Sequence, residues 1–302
     1  MDSIQDDVYA PKPELHDCHV HMVLDGVDWK AAIARHKQQP DESYIRKVLE
    51  SYAQAGAVYV REGGDKYGAG WLARNIAREY GIEYASPVFP IYQKGNYGGF
   101  IGRSFQTIEE YERLVDEVYD RGGDYVKVML SGIMDFDNYG TITGYTLPRE
   151  MVFSMIDYAH SKGLAVMAHV NGARAIQDAV EGGVDSVEHG YFSDEESREA
   201  LANSDTIWVP TFSPISNCIG IGKYPDDVLK KIEANQTEAV RAVANMGGKI
   251  ASGSDAGAGD VLHVKAAEDE YSYMKRALGD MCDSVISRGL DEIRGRFASR
   301  AQ

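Results

Sequence analysis

The sequence has few cysteines and no long apolar segment. Its three cysteines, Cys18, Cys218 and Cys282, are too few and too widely spaced for a disulfide framework or a cysteine-based zinc site. No apolar run approaches the roughly 20 residues that a helix needs to span a bilayer. The N-terminus has acidic residues where a signal peptide would have basic residues and then an apolar stretch. We therefore expect a cytoplasmic protein without a membrane partner.

Basic residues are also scarce relative to acidic ones. The chain has 31 Lys and Arg against 47 Asp and Glu, which gives a formal net charge of −16. Binding to a nucleic-acid backbone requires clustered Lys and Arg, so nucleic acid is not an expected partner. The expected partner is a small-molecule substrate, and a homo-oligomer stays an open alternative.

What is present is a repeated pattern of a short apolar run, a loop with glycine or polar residues, and an amphipathic segment. This alternation is typical of βα units and of a parallel sheet. Eight such units fill a (β/α)8 TIM barrel, and an open doubly wound sheet is the alternative. The predicted strands cover residues 15–22, 57–61, 83–88, 125–130, 164–169, 186–189, 206–209 and 249–253.

The segments between these strands predict the helices of an α/β barrel. Residues 280–302 predict one more amphipathic helix, which would be a C-terminal helical extension. No linker or change of composition divides the chain, so residues 1–302 are predicted to form a single domain. The other predicted helices lie at about 42–54, 70–80, 107–121, 149–162, 172–181, 194–202, 226–246 and 268–279.

The first strand has Asp17, His19 and His21 at alternate positions. Side chains at such positions share one face of a strand, and two imidazoles on one face can bind a single metal ion. A pair of partly buried histidines bonded to backbone carbonyls is the structural alternative. An inward Asp17 favours metal binding, because a carboxylate commonly orients a metal-binding histidine.

Lys127 interrupts the apolar run of the fourth strand. Desolvation of a charged amine inside a barrel costs several kcal/mol. One interpretation places the lysine near the strand end, with its stem reaching water. The other is an amine that burial deprotonates and that carbon dioxide converts to a carbamate, an anion able to bridge two cations.

His169 and His189 end the fifth and sixth strands, and Asp255 follows the eighth. Imidazole suits zinc and similar divalent ions, whereas an aspartate after a strand is also common in turns. The C-terminal ends of barrel strands form the face on which barrel active sites lie. The candidate metal ligands on that face are His19, His21, Lys127, His169, His189 and Asp255.

Loops on the same face supply candidate substrate contacts. Arg61 terminates the second strand and would pair with a substrate carboxylate through two hydrogen bonds. The other candidates are Tyr97, Tyr139, Tyr191 and His263, each of which also suits an ordinary surface loop.

Five motifs in this order resemble the amidohydrolase superfamily. The similarity runs from about residue 15 to about residue 270 and is greatest to imidazolonepropionase-like and prolidase-like members. The motifs are Asp17-x-His19-x-His21, Lys127 followed by Ser131-Gly132, His169 followed by Val-Asn-Gly, Glu188-His189-Gly190, and Gly-Ser-Asp-Ala-Gly around Asp255.

The resemblance implies a metal-dependent hydrolase with a binuclear site, usually of zinc. Water bridging the ions as hydroxide would attack a carbonyl, and Asp255 would act as general base and then general acid. The expected reaction is cleavage of an amide or peptide-type bond in a dipeptide or an N-acyl amino acid. Carboxylated Lys127 would bridge two ions, one bound by His19, His21 and Asp255 and the other by His169 and His189.

The chain departs from the family pattern in one respect. Relatives usually carry a small β-sandwich formed by segments on both sides of the barrel, whereas only about 14 residues precede the first strand here. A barrel-only member lacking most of the sandwich is implied. Two other functions stay open: a mononuclear deaminase or hydrolase of a cyclic amide or lactone, and a non-catalytic barrel that binds a metal or a ligand.

Overall fold

A computed structural model describes residues 14–300 of the chain. The acidic N-terminal segment, residues 1–13, and residues 301–302 lie outside the described residues. The strands are Leu15–Val20 (β1), Ala57–Glu62 (β2), Glu83–Ala85 (β3), Pro90–Gln93 (β4), Arg103–Phe105 (β5), Val126–Met129 (β6), Val166–Val170 (β7), Ser186–His189 (β8), Ile207–Val209 (β9) and Lys249–Ile250 (β10). The α-helices are Trp29–His36 (α1), Glu42–Gln54 (α2), Ala69–Ile76 (α3), Ile108–Asp120 (α4), Arg149–Ser161 (α5), Ala173–Glu181 (α6), Glu195–Ala202 (α7), Ser213–Ser216 (α8), Asp226–Asn245 (α9), Lys265–Leu278 (α10) and Cys282–Arg296 (α11).

The strands pair in parallel and close into a barrel. They form two sheets, with strand orders β1-β2-β3 and β10-β9-β8-β7-β6-β4-β5. Backbone hydrogen bonds join these sheets on both sides: Cys18 N in β1 donates to Ser252 O after β10, and Asp124 N before β6 donates to Ser86 O after β3, each at 3.0 Å. The (β/α)8 barrel expected from the sequence is therefore confirmed.

The third barrel position differs from the prediction. Instead of one strand over residues 83–88, β3 pairs with β2 and β4 pairs with β6, with an irregular segment between them. Pro87 and Pro90 have no N–H to donate to a ladder, and Val88 has a φ of 69°. The chain leaves the barrel surface at this point and then returns to it. β4 and β5 were not predicted as separate strands.

The main core lies between the barrel and its helices. Val128 and Val187 of the strands pack with Ile156 of α5 and Val240 of α9, and all four are buried. Burial of one such side chain contributes about 1.5–3 kcal/mol to folding. Within residues 14–300, no helix combines the length and the hydropathy needed to cross a bilayer.

The helices match the sequence expectations closely, with two additions. α1 and α8 were not predicted. α1 begins after Asp28, whose side chain accepts hydrogen bonds from Lys30 N and Ala31 N, as an N-cap residue does. This helix is only eight residues long and buries only Ala32, Ile33 and His36, so the apolar periodicity that marks the longer helices is weak there.

The predicted C-terminal extension is present as α11, which closes one end of the barrel. Leu290, Ile293 and Phe297 pack with Tyr59 and Tyr125, which lie near the N-terminal ends of β2 and β6. The Phe297 and Tyr125 rings are perpendicular, with centroids 5.3 Å apart. Because α11 covers the N-terminal ends of the strands, the opposite end is the one left open for a site.

Candidate metal centre

The C-terminal strand ends bring the six predicted ligands together. Because the strands are parallel, their C-terminal ends all lie at the same end of the barrel. Side chains far apart in sequence therefore become neighbours there. Five of the six are buried and one is partly buried. They are His19 and His21 at the end of β1, Lys127 in β6, His169 in β7, His189 in β8, and Asp255 after β10.

His19, His21 and Asp255 form the tightest part of this cluster. Each offers a ligand atom, and these atoms all lie within 4.8 Å of one another. Oδ1 of Asp255 is 3.5 Å from Nε2 of His19 and 3.3 Å from Nε2 of His21. In the described part of the chain, that buried oxygen has no hydrogen-bond partner. A buried carboxylate oxygen between two imidazole nitrogens fits a divalent cation such as zinc.

Lys127 points into the same cluster. Its side chain is buried, and Nζ lies 3.5 Å from Nε2 of His19. Desolvation lowers the pKa of Lys127 to about 8, against the opposing charges of Glu188 and Asp255. This position contradicts the alternative of a stem that reaches water, and it increases the neutral fraction of the amine near neutral pH.

His169 and His189 lie beside the first three ligands. The His189 ring centroid is 4.6 Å from that of His169 and 5.0 Å from that of His19. Burial lowers the pKa of His169 to about 3 and that of His189 well below 6.5. Both rings are therefore neutral at physiological pH, as metal binding requires. Nδ1 of His189 contacts Oγ1 of Thr211 at 2.8 Å, which leaves Nε2 for a ligand.

Arg61 does not fit the predicted contact with a substrate carboxylate. Its guanidinium has no exposed surface and lies in the barrel interior. It donates to Cys18 O at 2.7 Å, to Oγ of Ser186 at 2.9 Å and to Oε1 of Glu188 at 2.8 Å. Since an isolated buried charge is costly, Arg61 turns inward to a buried carboxylate rather than outward to the mouth.

Glu188 is a functional candidate that the sequence interpretation missed. Its Oε2 accepts a hydrogen bond of 2.8 Å from Nδ1 of His19, which directs Nε2 of that ring toward Asp255 and Lys127. The available signal was a charged residue inside a short barrel strand, next to His189 in sequence.

Asp17 does not orient a metal-binding imidazole as predicted. Its Oδ1 accepts from Ser254 N at 2.8 Å and from His19 N at 3.2 Å, and its Oδ2 accepts from Oγ of Ser254. The pairing of β1 with β2 shifts register between Asp17 and Val20, so the two-residue alternation of faces is interrupted. Cys18, between Asp17 and His19, packs among interior residues. Asp17 instead fixes the backbone that carries Asp255.

A glycine allows the loop after β2 to pass close to His21. A Cβ atom at Gly63 would lie 2.2 Å from Cε1 of that ring. Any other residue would displace either the imidazole or the loop.

Two neighbouring cavities, which share lining residues such as Tyr97 and Asp255, lie beside the cluster. The inner chamber, of about 40 Å³, is lined by His169, His189, Asn171 and Asp255 among others. The outer chamber, of about 470 Å³, is lined by His21 and Asp255 from the cluster and by residues of the loops that follow the strands. Five of the fifteen residues that line the outer chamber are aromatic, namely Trp29, Tyr97, Phe100, Phe136 and Tyr224.

Two of the predicted substrate residues line these chambers. The Tyr97 ring centroid is 4.9 Å from that of His169, and Tyr97 lines both chambers. Tyr191 lines the inner chamber, where its ring is parallel to His189 and its hydroxyl donates to Thr211 O.

The other two predicted residues lie elsewhere. Tyr139 is 47% exposed and packs edge-on against Phe192, outside the lining of either chamber. Nε2 of His263 donates to Leu24 O at 3.0 Å, and its Nδ1 lies 3.3 Å from the Tyr52 hydroxyl. With both ring nitrogens occupied inside the fold, His263 does not fit a substrate contact.

Comparisons with known proteins agree with this architecture. A model of the amidohydrolase family matches residues 13–283. Uncharacterized proteins of Mycobacterium tuberculosis and Mycobacterium bovis are each 29% identical over 146 residues, 44% of this chain and 39% of theirs. The chain thus matches less than half the length of these curated relatives.

Solved structures show the same fold. A Xaa-Pro dipeptidase with methionine bound in its active site has a TM-score of 0.71 and 22% identity, covering 93% of this chain and 74% of that one. The ochratoxinase of A. niger has a TM-score of 0.73 and 22% identity, covering 96% of this chain and 72% of that one. At such identities, these likenesses establish the barrel architecture.

Proposed function

We propose, from the premise that this chain belongs to the amidohydrolase family, that it is a two-metal hydrolase of amide or peptide-type bonds in small molecules. A dipeptide or an N-acyl amino acid is the proposed substrate. The observation that carries the proposal is the convergence of four imidazoles, one lysine and one carboxylate at the base of an open cavity. The dipeptidase and ochratoxinase folds support an amide as the bond cleaved.

The donor set suits two zinc ions. The imidazoles, of which burial keeps those of His169 and His189 neutral, and the Asp255 oxygen without a hydrogen-bond partner match zinc in ligand type. Reaction of the Lys127 amine with carbon dioxide would give a carbamate and release a proton, and the buried amine lies next to His19. In this proposal His19, His21 and Asp255 would hold one ion, His169 and His189 would hold a second, and carboxylated Lys127 would serve as a ligand to both.

The residues of the chain divide the work of hydrolysis. When bound, divalent ions supply Lewis acidity, which acidifies water and polarises a carbonyl. Asp255 lines both chambers, so its carboxylate is placed to accept a proton from the attacking water. Asp255 then returns that proton to the leaving nitrogen, acting as general base and then as general acid. Tyr97 and Tyr191 wall the inner chamber and limit its water content.

A second candidate is a one-metal deaminase or hydrolase of a cyclic amide or lactone. The observation in its favour is that Nε2 of His169 lies 3.0 Å from Gly132 O and 3.2 Å from Nδ2 of Asn171. A ligand bond from that nitrogen would replace these contacts. The number of metal ions bound per chain separates the two candidates.

Metal analysis of the wild type and of Lys127→Ala tests the proposal. We expect two zinc ions per wild-type chain, together with hydrolysis of members of a dipeptide and N-acyl amino acid library. Lys127→Ala should bind at most one ion and lose hydrolysis, because the bridging group is gone. Lys249→Ala is the matched control, since Lys249 forms surface ion pairs with Asp205 and Glu292. Unchanged metal content and activity in Lys127→Ala would refute the bridge.

A further inference from the structure

We infer that Lys223 binds the substrate carboxylate and that the outer chamber receives an aromatic side chain. The inference rests on the proposed function and specifies its substrate class. The substrates would be N-acyl amino acids or dipeptides whose C-terminal residue is aromatic. Hydrolysis breaks the C–N bond, adds a hydroxyl to the carbonyl carbon and a proton to the nitrogen, and releases a carboxylic acid and an aromatic amino acid.

Lys223 is the one lysine or arginine among the described residues that line the two chambers. Three other basic residues, in or just after β2 and in β5, have partners elsewhere. Arg61 is bonded in the barrel interior, Lys66 donates to Gly99 O at 2.7 Å, and Arg103 pairs with Glu117. A substrate carboxylate in the outer chamber therefore finds its cationic partner at Lys223.

The ammonium of Lys223 is held in place and still has donors to offer. Nζ donates to Oδ2 of Asp260 at 2.7 Å, and the side chain is 45% exposed. Asp260 is itself fixed: its N donates to Gly26 O at 2.9 Å, and its O accepts from Nδ2 of Asn217 at 3.1 Å. An ammonium has three N–H donors, so two remain for a carboxylate. Holding the flexible lysine beforehand reduces the ordering cost of binding.

The walls of the outer chamber are suited to an aromatic ring. Phe136 stacks on Tyr224 at 4.8 Å between centroids, and the Trp29 and Phe100 rings meet edge to face at 5.9 Å. Offset and edge-to-face packing are the arrangements that aromatic rings prefer. The chamber volume of about 470 Å³ falls in the range of small-molecule sites. The ring of a C-terminal residue would pack here while its carboxylate meets Lys223.

Three substrates separate the contributions of charge and ring. They are N-acetyl-L-phenylalanine, its carboxamide, and N-acetyl-L-alanine, each assayed with zinc present. For the wild type, we expect kcat/KM to be highest for N-acetyl-L-phenylalanine, by roughly tenfold over each of the others. Lys223→Met should remove the advantage over the carboxamide, mainly through KM, and Lys223→Arg should retain most of it. Trp29→Ala should reduce the advantage over the alanine substrate.

Lys230→Met is the matched control, because Lys230 is exposed on α9 and pairs only loosely with Asp226 at 3.6 Å. It should leave all three rates unchanged. Calorimetric binding of the product L-phenylalanine supplies a readout independent of turnover. If Lys223→Met hydrolyses the acid and the carboxamide in the wild-type ratio, the inference is overturned.

A different result would contradict the proposed function itself: the wild type with zinc would hydrolyse none of these three amides and no member of the dipeptide and N-acyl amino acid library. The assignment of Lys223 survives that outcome if L-phenylalanine binds the wild type and binds Lys223→Met roughly tenfold more weakly. Equal binding to both proteins would overturn it.

Discussion

His19 shows how a single side chain at the site is positioned. Glu188 accepts from its Nδ1 at 2.8 Å, and Arg61 and Ser186 both donate to the other oxygen of Glu188. All four side chains are buried. A ring fixed in this way presents one nitrogen in one direction, as metal binding requires.

Glu188→Gln should therefore weaken zinc binding. We expect the affinity to fall about 10–100-fold, because such partners of metal-binding histidines contribute that much. The variant should also be less stable by about 3–5 kcal/mol, since Arg61 loses its buried counter-charge. Chelator competition measures the affinity, and chemical denaturation measures the stability. Glu199→Gln, on the exposed side of α7, is the control, and wild-type zinc affinity in Glu188→Gln would contradict the role of Glu188.

For single residues, the sequence predicted where the candidate ligands lie, but it did not predict the direction in which every side chain points. His19, Lys127 and Asp255 were placed correctly because strand ends share one face of a barrel. Arg61 was misplaced because its inward partner, Glu188, lies 127 positions away in sequence. Asp17 was misplaced because an irregularity in β1 interrupts the alternation that the prediction assumed.

Among the secondary structure elements, periodic segments were predictable and the loops were not. Seven of the eight predicted strands and the longer helices follow from short apolar runs and helical periodicity, whereas the third predicted strand is divided in two. The aromatic residues of the outer chamber come from loops and from the first turn of α1, and loop residues such as Phe136 and Tyr224 follow no period. Their convergence depends on the barrel, so their roles could not be assigned before the fold was known.

Three elements meet at Asp185, just before β8. Nε2 of His160, near the end of α5, contacts Oδ2 of Asp185 at 2.7 Å, and Arg296 of α11 donates to Oδ1 at 2.9 Å. The hydrogen bond to Asp185 raises the pKa of His160 above 6.5, against partial burial. The charged imidazolium is therefore favoured in the folded state. Its contribution is complete below about pH 6.5 and is lost as the pH rises through the pKa of the folded state.

His160→Gln should accordingly destabilise the protein more at about pH 5.5 than at about pH 9. Because the imidazole is 39% exposed, the difference should be about 0.5–1 kcal/mol after allowance for solvent screening. Urea denaturation at the two pH values measures it. Lys162→Gln removes the neighbouring ion pair with Asp116, but lysine does not titrate in this interval, so its effect should be equal at both values. An equal effect of His160→Gln at both values would contradict the argument.

For the whole molecule, metal binding and stability should be coupled. The site gathers four imidazoles, a buried amine and a carboxylate oxygen without a hydrogen-bond partner, which is an unfavourable arrangement without a cation. We expect removal of divalent metal by a chelator to lower the melting temperature. Added zinc should restore about 2.7 kcal/mol at a hundred times its Kd.

Asp255→Ala should lose most of that zinc-dependent gain. Asp269→Ala, which removes a surface ion pair with Lys265, should keep it. Scanning calorimetry with and without zinc makes the comparison. A melting temperature that does not respond to zinc in the wild type would argue against a metal centre.

In the described part of the chain, α11 covers the N-terminal ends of the barrel strands. The site is then reached from one end only, the C-terminal ends of the strands. An incoming molecule and the two fragments leaving after cleavage must then use the same passage in turn. The product that binds more tightly at the opening leaves last. Until it leaves, it prevents the next substrate from entering. Because the other end of the barrel is closed, we expect release of that product to limit the turnover rate. The same product should act as a competitive inhibitor of the substrate.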